Sequence, residues 1–271
     1  MFPVEFSDPD GVRWAPERPT GTGVLVLAGS SGRIDTDRAR IFAEHGCLAE
    51  STRWFGGTGQ HTSPWEIPLE TFFQRIDWLK TECDRVWVAG TSFGSEAALL
   101  VGALSDDVAE VIAFAPSDVV WAGYDGDRET SHWTLRGQAL PYVPFDWNEH
   151  VAQTPAHFRP LYEKSWSTAG HAATTARIPV EHINRLVLVA GGDDQVWPSV
   201  AHAQRIVAHR AQAGLVTQLI VHPHAGHRTI LPGEHPVTTG ATMMRGGNEN
   251  ADRELGSQAW PVILNELTTT R

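Results

Sequence analysis

Short apolar segments alternate with longer amphipathic segments along the chain. The apolar segments have the length of strands and lie at residues 24–28, 47–51, 86–89, 111–115, 186–190 and 218–222. Apolar strands separated by helices are typical of a parallel sheet that is covered on both faces. The pattern therefore predicts an α/β fold with a mostly parallel central sheet flanked by helices.

The amphipathic segments have the spacing of helices. In residues 69–80, which follow Pro68, apolar side chains recur on one face at Phe72, Phe73, Ile76 and Leu79. Asp35 or Thr36 can cap another helix at residues 38–44. A third predicted helix, at residues 200–213, follows Pro198.

Residues 117–177 interrupt this alternation with a segment rich in Trp, Tyr, His, Pro and Gly. We expect short helical pieces at most in it, and either a surface excursion or a cap over a substrate pocket. Long segments inside a compact domain are usually functional, which favours the cap within a single domain of residues 1–271. The aromatic residues that would line an apolar pocket, or merely cover the sheet, are Trp121, Trp133, Tyr142, Phe145, Trp147, Phe158 and Trp166.

Composition and charge indicate which binding partners and which cellular compartment to expect. The 271 residues include 21 basic and 32 acidic side chains, and the net charge of −11 disfavours nucleic acid and anionic membranes as partners. The apolar runs are too short to span a bilayer. Cys47 and Cys83 cannot form a disulfide framework, and the first residues lack the pattern of a signal peptide. We expect a cytoplasmic protein; whether it forms a homo-oligomer stays open.

The candidate nucleophile is Ser92, in Gly90-Thr91-Ser92-Phe93-Gly94. A serine that attacks a carbonyl must be raised clear of the sheet, and a tight turn between a strand and a helix does this. A predicted strand precedes the motif and a helical segment follows it, as such a turn requires. The alternative is an ordinary glycine-rich loop in which the serine caps a helix.

Two neighbouring acids, Asp193 and Asp194, follow the predicted strand at residues 186–190. A carboxylate that orients a catalytic histidine belongs at the carboxyl end of such a strand. The spacing from Gly191 to Pro198 favours Asp194, and Asp193 would then support the loop or cap the next helix.

Three histidines stand at the end of the predicted strand at residues 218–222 and just after it. The candidate base among them is His227, beside the tight turn Ala225-Gly226. His222, His224 and His227 could also be weighed as metal ligands, but the sequence nearby offers no Cys or carboxylate to complete a shell. We therefore expect neither a metal nor a cofactor.

Ser92, Asp194 and His227 occur in the order that α/β-hydrolases use, each after a predicted strand. His227 would accept the proton of Ser92, while Asp194 would fix the histidine tautomer. The oxyanion formed during acyl transfer needs two N–H donors. We expect them from Phe93 and from Ser30, with Ser31 as the alternative.

These residues resemble the catalytic domain shared by acyl-CoA thioesterases and bile acid-CoA:amino acid N-acyltransferases (BAAT), a family of the α/β-hydrolase superfamily. The similar stretches are residues 90–96, 176–183, 192–199 and 223–227, with Ala251 and Trp260 in the last helix. The single-domain form is also similar to dienelactone hydrolases, which act on esters and lactones.

The resemblance implies a serine hydrolase for a small acyl thioester, such as an acyl-CoA, or an ester. Serine at the nucleophile position is typical of the family's thioesterases, whereas its amino-acid conjugating enzymes use cysteine. Acyl transfer to an amine or alcohol, carboxylesterase or lactonase activity, and a non-enzymatic binding module are the alternatives. Basic residues that could bind the CoA phosphates include Arg33, Arg128, Arg159 and Lys164. The sequence does not favour one of them over the others.

Overall fold

The computed structural model describes residues 1–238 and 240–268. Its strands are β1 (Pro3–Phe6), β2 (Gly11–Trp14), β3 (Thr22–Leu27), β4 (Leu48–Thr52), β5 (Ile67–Pro68), β6 (Arg85–Thr91), β7 (Val108–Phe114), β8 (Ala122–Asp125), β9 (Arg128–Ser131), β10 (Trp133–Leu135), β11 (Gln138–Ala139), β12 (Leu186–Gly191) and β13 (Gln218–His222). Its helices are α1 (Thr36–Glu44), α2 (Glu70–Glu82), α3 (Phe93–Leu104), α4 (Arg159–Thr168), α5 (His171–Thr175), α6 (Ser199–Gln212) and α7 (Glu249–Thr268). A short 3-10 helix spans Val180–His182.

The central sheet has eight strands in the order β1-β2-β4-β3-β6-β7-β12-β13. From β4 to β13 every neighbouring pair is parallel. All six predicted strands are present here, so the mostly parallel sheet is confirmed. The pattern missed β1 and β2, a hairpin that pairs antiparallel with β4 and extends one edge of the sheet.

Helices cover both faces of the sheet, which explains the continuous apolar strands. Along β3, Leu25 and Leu27 face one core cluster with residues of α2, α3 and α6. Val24 and Val26 point to the opposite face and pack with residues of α1 and α7. Successive strand residues point to opposite faces, so a strand covered on both sides needs an apolar side chain at every position.

The predicted helices are present as α1, α2 and α6, each beginning within two residues of the expected start. Asp35 stands at the N-cap of α1, but its carboxylate accepts a hydrogen bond from Arg33 rather than capping the helix. Across residues 1–238 and 240–268, no helix combines the length and apolar character needed to cross a membrane.

Residues 117–177 contain strands as well as helices, so the expectation of short helical pieces at most is wrong for residues 122–139. There β8 pairs with β9, and β10 pairs with β11 and with β5. Two-residue turns join the strands of each hairpin, with positive φ at Gly126, Arg136 and Gly137. A bridge between Val119 and Arg177 brings the ends of the segment together.

Candidate active site

Ser92 lies at the sharp turn between β6 and α3. Its φ is 60°, in the left-handed region that non-glycine residues seldom adopt. A Cβ at Gly90 would stand 2.0 Å from the carbonyl oxygen of Gly94, and one at Gly94 would stand 2.4 Å from that of Ala28. Both positions therefore require glycine, because any side chain would force the turn open.

His227 faces Asp194, which sequence spacing favoured over its neighbour. Nδ1 of His227 lies 2.8 Å from Oδ2 of Asp194, and the carboxylate is fully buried. The other oxygen, Oδ1, accepts hydrogen bonds from the backbone N–H groups of Val196 at 2.9 Å and Trp197 at 3.2 Å. Three hydrogen bonds thus fix the carboxylate against the imidazole.

Asp193 points away from the histidine. Its carboxylate accepts hydrogen bonds from Gln195 Nε2 at 2.7 Å and from the Gly247 N–H at 2.8 Å. The hydrogen bond from Gly247 is the main cause of the lowered pKa of this carboxyl. Asp193 therefore ties the loop after β12 to the segment that precedes α7.

The backbone around His227 forms hydrogen bonds with α7 and with the segment that precedes α7. The N–H of Gly226 donates to Oδ1 of Asp252 at 2.7 Å, and the N–H of His227 donates to the carbonyl of Arg245 at 2.9 Å. His222 pairs with Glu254 at 3.0 Å, and its ring accepts a hydrogen bond from the N–H of His224. Within the described ranges no cluster of three or more His, Cys, Asp or Glu side chains could hold a metal ion.

The loop after β3 passes directly beside the Ser92 side chain. A Cβ at Gly29 would lie 2.9 Å from Cβ and 3.4 Å from Oγ of Ser92. Ser30 follows in this loop, while the hydroxyl of Ser31 accepts a hydrogen bond from Arg33 at 3.2 Å. The segment expected to supply the second oxyanion donor is therefore next to the candidate nucleophile.

A cavity of about 530 Å³ brings Ser92, Phe93, Ser30 and His227 onto one wall. Asp194 lies behind His227 and does not line the cavity. Much of the remaining wall is apolar and includes Tyr124, Phe145, Trp147, Phe158, Leu161, Tyr162, Val196 and Met243.

The seven aromatic side chains singled out in residues 117–177 divide into two groups. Phe145, Trp147 and Phe158 line the cavity. The other four serve the core: Trp121 and Trp133 are fully buried within it, and Tyr142 and Trp166 pack against it. The sequence did not single out Tyr124 and Tyr162, which also line the cavity.

The sequence did not point to two buried side chains near the start of α3, Glu96 and His132, of which His132 also lines the cavity. The ring of His132 stacks on Phe93 with centroids 3.8 Å apart, and burial lowers its pKa to about 4, so the ring is neutral. Glu96, one helical turn after Ser92, accepts a hydrogen bond from Trp133 Nε1 at 2.9 Å. Burial raises the pKa of Glu96 well above its usual range. Both side chains connect α3 to residues 117–177.

A buried ion pair connects the two loops that carry Ser92 and His227. Nε of Arg38 lies 2.6 Å from Oε1 of Glu234, and both side chains are 7% exposed. The same guanidinium donates to the Thr91 hydroxyl at 2.7 Å and to the Thr229 carbonyl at 2.8 Å. Because Thr91 precedes Ser92 and Thr229 follows His227 by two residues, Arg38 fixes the spacing of the two loops.

Comparisons with known proteins agree with this architecture. Residues 67–265 match the family model described as BAAT / Acyl-CoA thioester hydrolase C terminal. None of the curated proteins matches the sequence. A candidate dienelactone hydrolase from Klebsiella pneumoniae subsp. pneumoniae aligns over 99% of both chains, with 13% identity and a TM-score of 0.62.

Two further solved structures are similar over part of their own length. An acylaminoacyl peptidase from Pyrococcus horikoshii aligns over 97% of this chain and 40% of its own, with 12% identity and a TM-score of 0.58. A puromycin-hydrolyzing peptidase from Mycobacterium tuberculosis aligns over 81% and 35%, with 14% identity and a TM-score of 0.55. At such identities the likeness concerns the fold, and the predicted α/β-hydrolase fold is confirmed.

Proposed function

Because the chain belongs to the family of BAAT and acyl-CoA thioester hydrolase C-terminal domains, we propose that it cleaves an ester or thioester with Ser92 as the nucleophile. The chain is an enzyme with the α/β-hydrolase fold. What we propose is the identity of its catalytic residues and the class of its substrate. The observation that carries it is the 2.8 Å contact between His227 Nδ1 and Asp194 Oδ2, on a cavity that Ser92 also lines.

In this mechanism Ser92 Oγ attacks the acyl carbon while Nε2 of His227 accepts its proton. Asp194 holds the tautomer with the proton on Nδ1 and stabilises the imidazolium that forms. The bond to the leaving group then breaks, and the imidazolium gives its proton to the departing alkoxide or thiolate. Water attacks the acyl-enzyme while His227 accepts one of its protons. The bond between the acyl carbon and Ser92 Oγ then breaks, the imidazolium returns its proton to Oγ, and the carboxylic acid leaves.

The tetrahedral intermediate requires donors for its oxyanion, and we propose the backbone N–H groups of Phe93 and Ser30. This assignment is supported by the close approach of the Gly29 backbone to the Ser92 side chain. It is also supported by the stacking of His132 on Phe93, which holds the start of α3 against residues 117–177.

Residues 117–177 would act as a cap that receives the acyl group. The segment contributes Phe145, Trp147 and Phe158 to the cavity wall, and its ends meet at the bridge between Val119 and Arg177. An apolar wall of this kind suits a hydrocarbon acyl chain. Serine rather than cysteine at the nucleophile position supports hydrolysis as the outcome, and the family supports an acyl thioester as the substrate.

The test compares wild-type protein with Ser92→Ala on p-nitrophenyl butyrate and butanoyl-CoA. We expect turnover to fall on the order of 10⁴-fold or more, because the covalent intermediate can no longer form. Fluorophosphonate should label the wild type and not Ser92→Ala. The matched variant Ser63→Ala, which removes another hydroxyl from the same cavity wall, should keep the label.

Equal turnover and labelling of wild type and Ser92→Ala would overturn the assignment of the nucleophile. Hydrolysis of the p-nitrophenyl ester without hydrolysis of butanoyl-CoA would reject the acyl-CoA substrate and leave an esterase.

A further inference from the structure

Three arginines lie on the wall of the cavity that holds Ser92. Arg33 comes from the loop after β3, Arg228 directly follows His227, and Arg245 precedes α7. Of these three, only Arg33 is among the basic residues that the sequence suggested for CoA phosphates. The other basic residues considered with it stand outside the cavity wall and form ion pairs: Arg128 with Glu66, Arg159 with Glu163, and Lys164 with Glu149.

The three guanidinium groups converge near Ser31. A Cβ at Gly240 would stand 3.4 Å from Nη2 of Arg228, 3.9 Å from Nη2 of Arg245 and 3.5 Å from Cβ of Ser31. Nη1 of Arg33 donates to the hydroxyl of Ser31 at 3.2 Å. Donors from two connections, the loop after β3 and the segment between β13 and α7, thus surround one point on the wall. This point lies two residues from Gly29, whose backbone passes beside Ser92.

The cluster holds three guanidinium groups, and the nearby carboxylates of Asp35 and Asp252 raise the pKa of Arg228 in opposition to them. Arg33 pairs with Asp35 at 2.9 Å, whereas Arg245 donates to the carbonyls of Ala241 and Met243 and pairs with no described carboxylate. Burial, together with the charges of Arg245 and Arg33, lowers the pKa of Arg228 to about 10. Burial and Arg33 also lower the pKa of Arg245. An electropositive wall in a chain of net charge −11 is a local arrangement that a bound anion would stabilise.

We propose that Arg33, Arg228 and Arg245 form an anion subsite, so that the substrate is an ester or thioester carrying a carboxylate or phosphate group. Guanidinium groups bind both anions through paired N–H donors. The proposal rests on the proposed function, because the subsite shares its cavity with Ser92. The apolar wall would hold the hydrocarbon part of the same substrate.

Matched substrate pairs test the subsite and identify which part of the substrate carries the anion. p-Nitrophenyl hemisuccinate and p-nitrophenyl butyrate differ by a carboxylate on the acyl part. Butanoyl-CoA and S-butanoyl-N-acetylcysteamine differ in the leaving group, since only CoA carries the phosphates, together with its adenosine and pantoyl parts. We expect kcat/KM at least tenfold higher for the anionic member of one pair, with a preference that declines as salt is added.

Substitution of the arginines tests whether they cause the preference for the anionic substrate. Arg245→Gln and Arg228→Gln should each lower the ratio of anionic to neutral kcat/KM at least tenfold, and Arg245→Lys should lower it less because the charge remains. The control Arg253→Gln removes a half-exposed arginine on α7, paired with Glu249, and should leave the ratio unchanged. A ratio within threefold of one for both pairs in the wild type, or an unchanged ratio in Arg245→Gln and Arg228→Gln, would overturn the subsite.

A binding measurement distinguishes a wrong anion subsite from a wrong proposed function, because it does not depend on catalysis. Calorimetry with Ser92→Ala and either succinate or CoA needs no turnover. We expect binding of at least one of them that weakens tenfold or more when Arg245→Gln is added. Binding of neither would reject the subsite even if Ser92 is the nucleophile. Arginine-dependent binding in a protein that hydrolyses neither esters nor thioesters would support the subsite and reject the proposed function.

Discussion

At the scale of single residues, the chemistry of the site depends on which atoms face one another. Asp193 and Asp194 are adjacent in sequence, yet one carboxylate bonds Gly247 and the other bonds His227. The N–H groups of Val196 and Trp197 make this difference, because they hold Oδ1 of Asp194 and leave Oδ2 for the imidazole. Neighbouring residues of the same type therefore have separate roles.

The two acids provide a matched pair of substitutions. Asp194→Asn should lower kcat on the order of 10³- to 10⁴-fold, because an amide favours the wrong histidine tautomer and cannot stabilise the imidazolium. Asp193→Asn should lower it less than tenfold. Steady-state kinetics on p-nitrophenyl butyrate measure both effects, and a larger loss in Asp193→Asn would reassign the acid.

At the scale of elements, α1 positions the site without lining the cavity. Arg38 of α1 meets Glu234 and the backbone after His227, and it also bonds Thr91 at the end of β6. Glu234 in turn accepts a hydrogen bond from the Leu231 N–H at 2.8 Å. Because this pair is buried, removal of either partner leaves a charge without its counterion.

Substitution of the pair tests this positioning. Arg38→Met and Glu234→Leu should each lower the free energy of unfolding by about 3–5 kcal/mol, as for other buried pairs that lose one partner. The double variant should lose clearly less than the sum, because no unpaired charge remains. Urea unfolding measures these losses, and kcat should fall in both single variants as the loop of His227 shifts. Additive losses would argue against an energetic link.

At the scale of the whole molecule, the parallel sheet gathers the three residues of the proposed triad at one edge. The loops after β6, β12 and β13 carry Ser92, Asp194 and His227, since these strands end at the same edge.

Glu110, within β7, is 1% exposed and lies 3.4 Å from Arg185. Burial raises its pKa to about 7, even though Arg185 and Arg85 act to lower it.

The raised pKa of Glu110 predicts a pH-dependent stability. Between pH 4.5 and about 7 the folded protein holds a proton on Glu110 that the unfolded chain releases. This contribution to stability is therefore complete below the unfolded pKa and is lost as pH rises through the folded one. Glu110→Gln cannot ionise. Relative to this variant, the wild type should lose roughly 3 kcal/mol of unfolding free energy between pH 4.5 and pH 8.

Urea titrations of both proteins at the two pH values measure this difference. The exposed variant Glu82→Gln should follow the wild type. A gap between wild type and Glu110→Gln that does not change with pH would show that Glu110 ionises at an ordinary pH in the folded protein.

The sequence by itself determined the features that depend on local pattern. Six strands and the helices between them follow from apolar periodicity, and Ser92, Asp194 and His227 could be selected because each follows a strand. The turn signal Asp125-Gly126 also stands in the sequence between β8 and β9, although this hairpin was not among the predicted elements.

Only the tertiary structure decided which distant residues meet. Arg38 and Glu234 are 196 positions apart. Arg33 comes from the loop after β3, whereas Arg228 and Arg245 come from the connection between β13 and α7, and the two converge beside Ser31. The hairpin of β1 and β2 joined the sheet although its segments carry no strong apolar alternation. The physical reason is that periodicity reports how a segment buries its own face, whereas contacts between loops depend on how all the elements pack together.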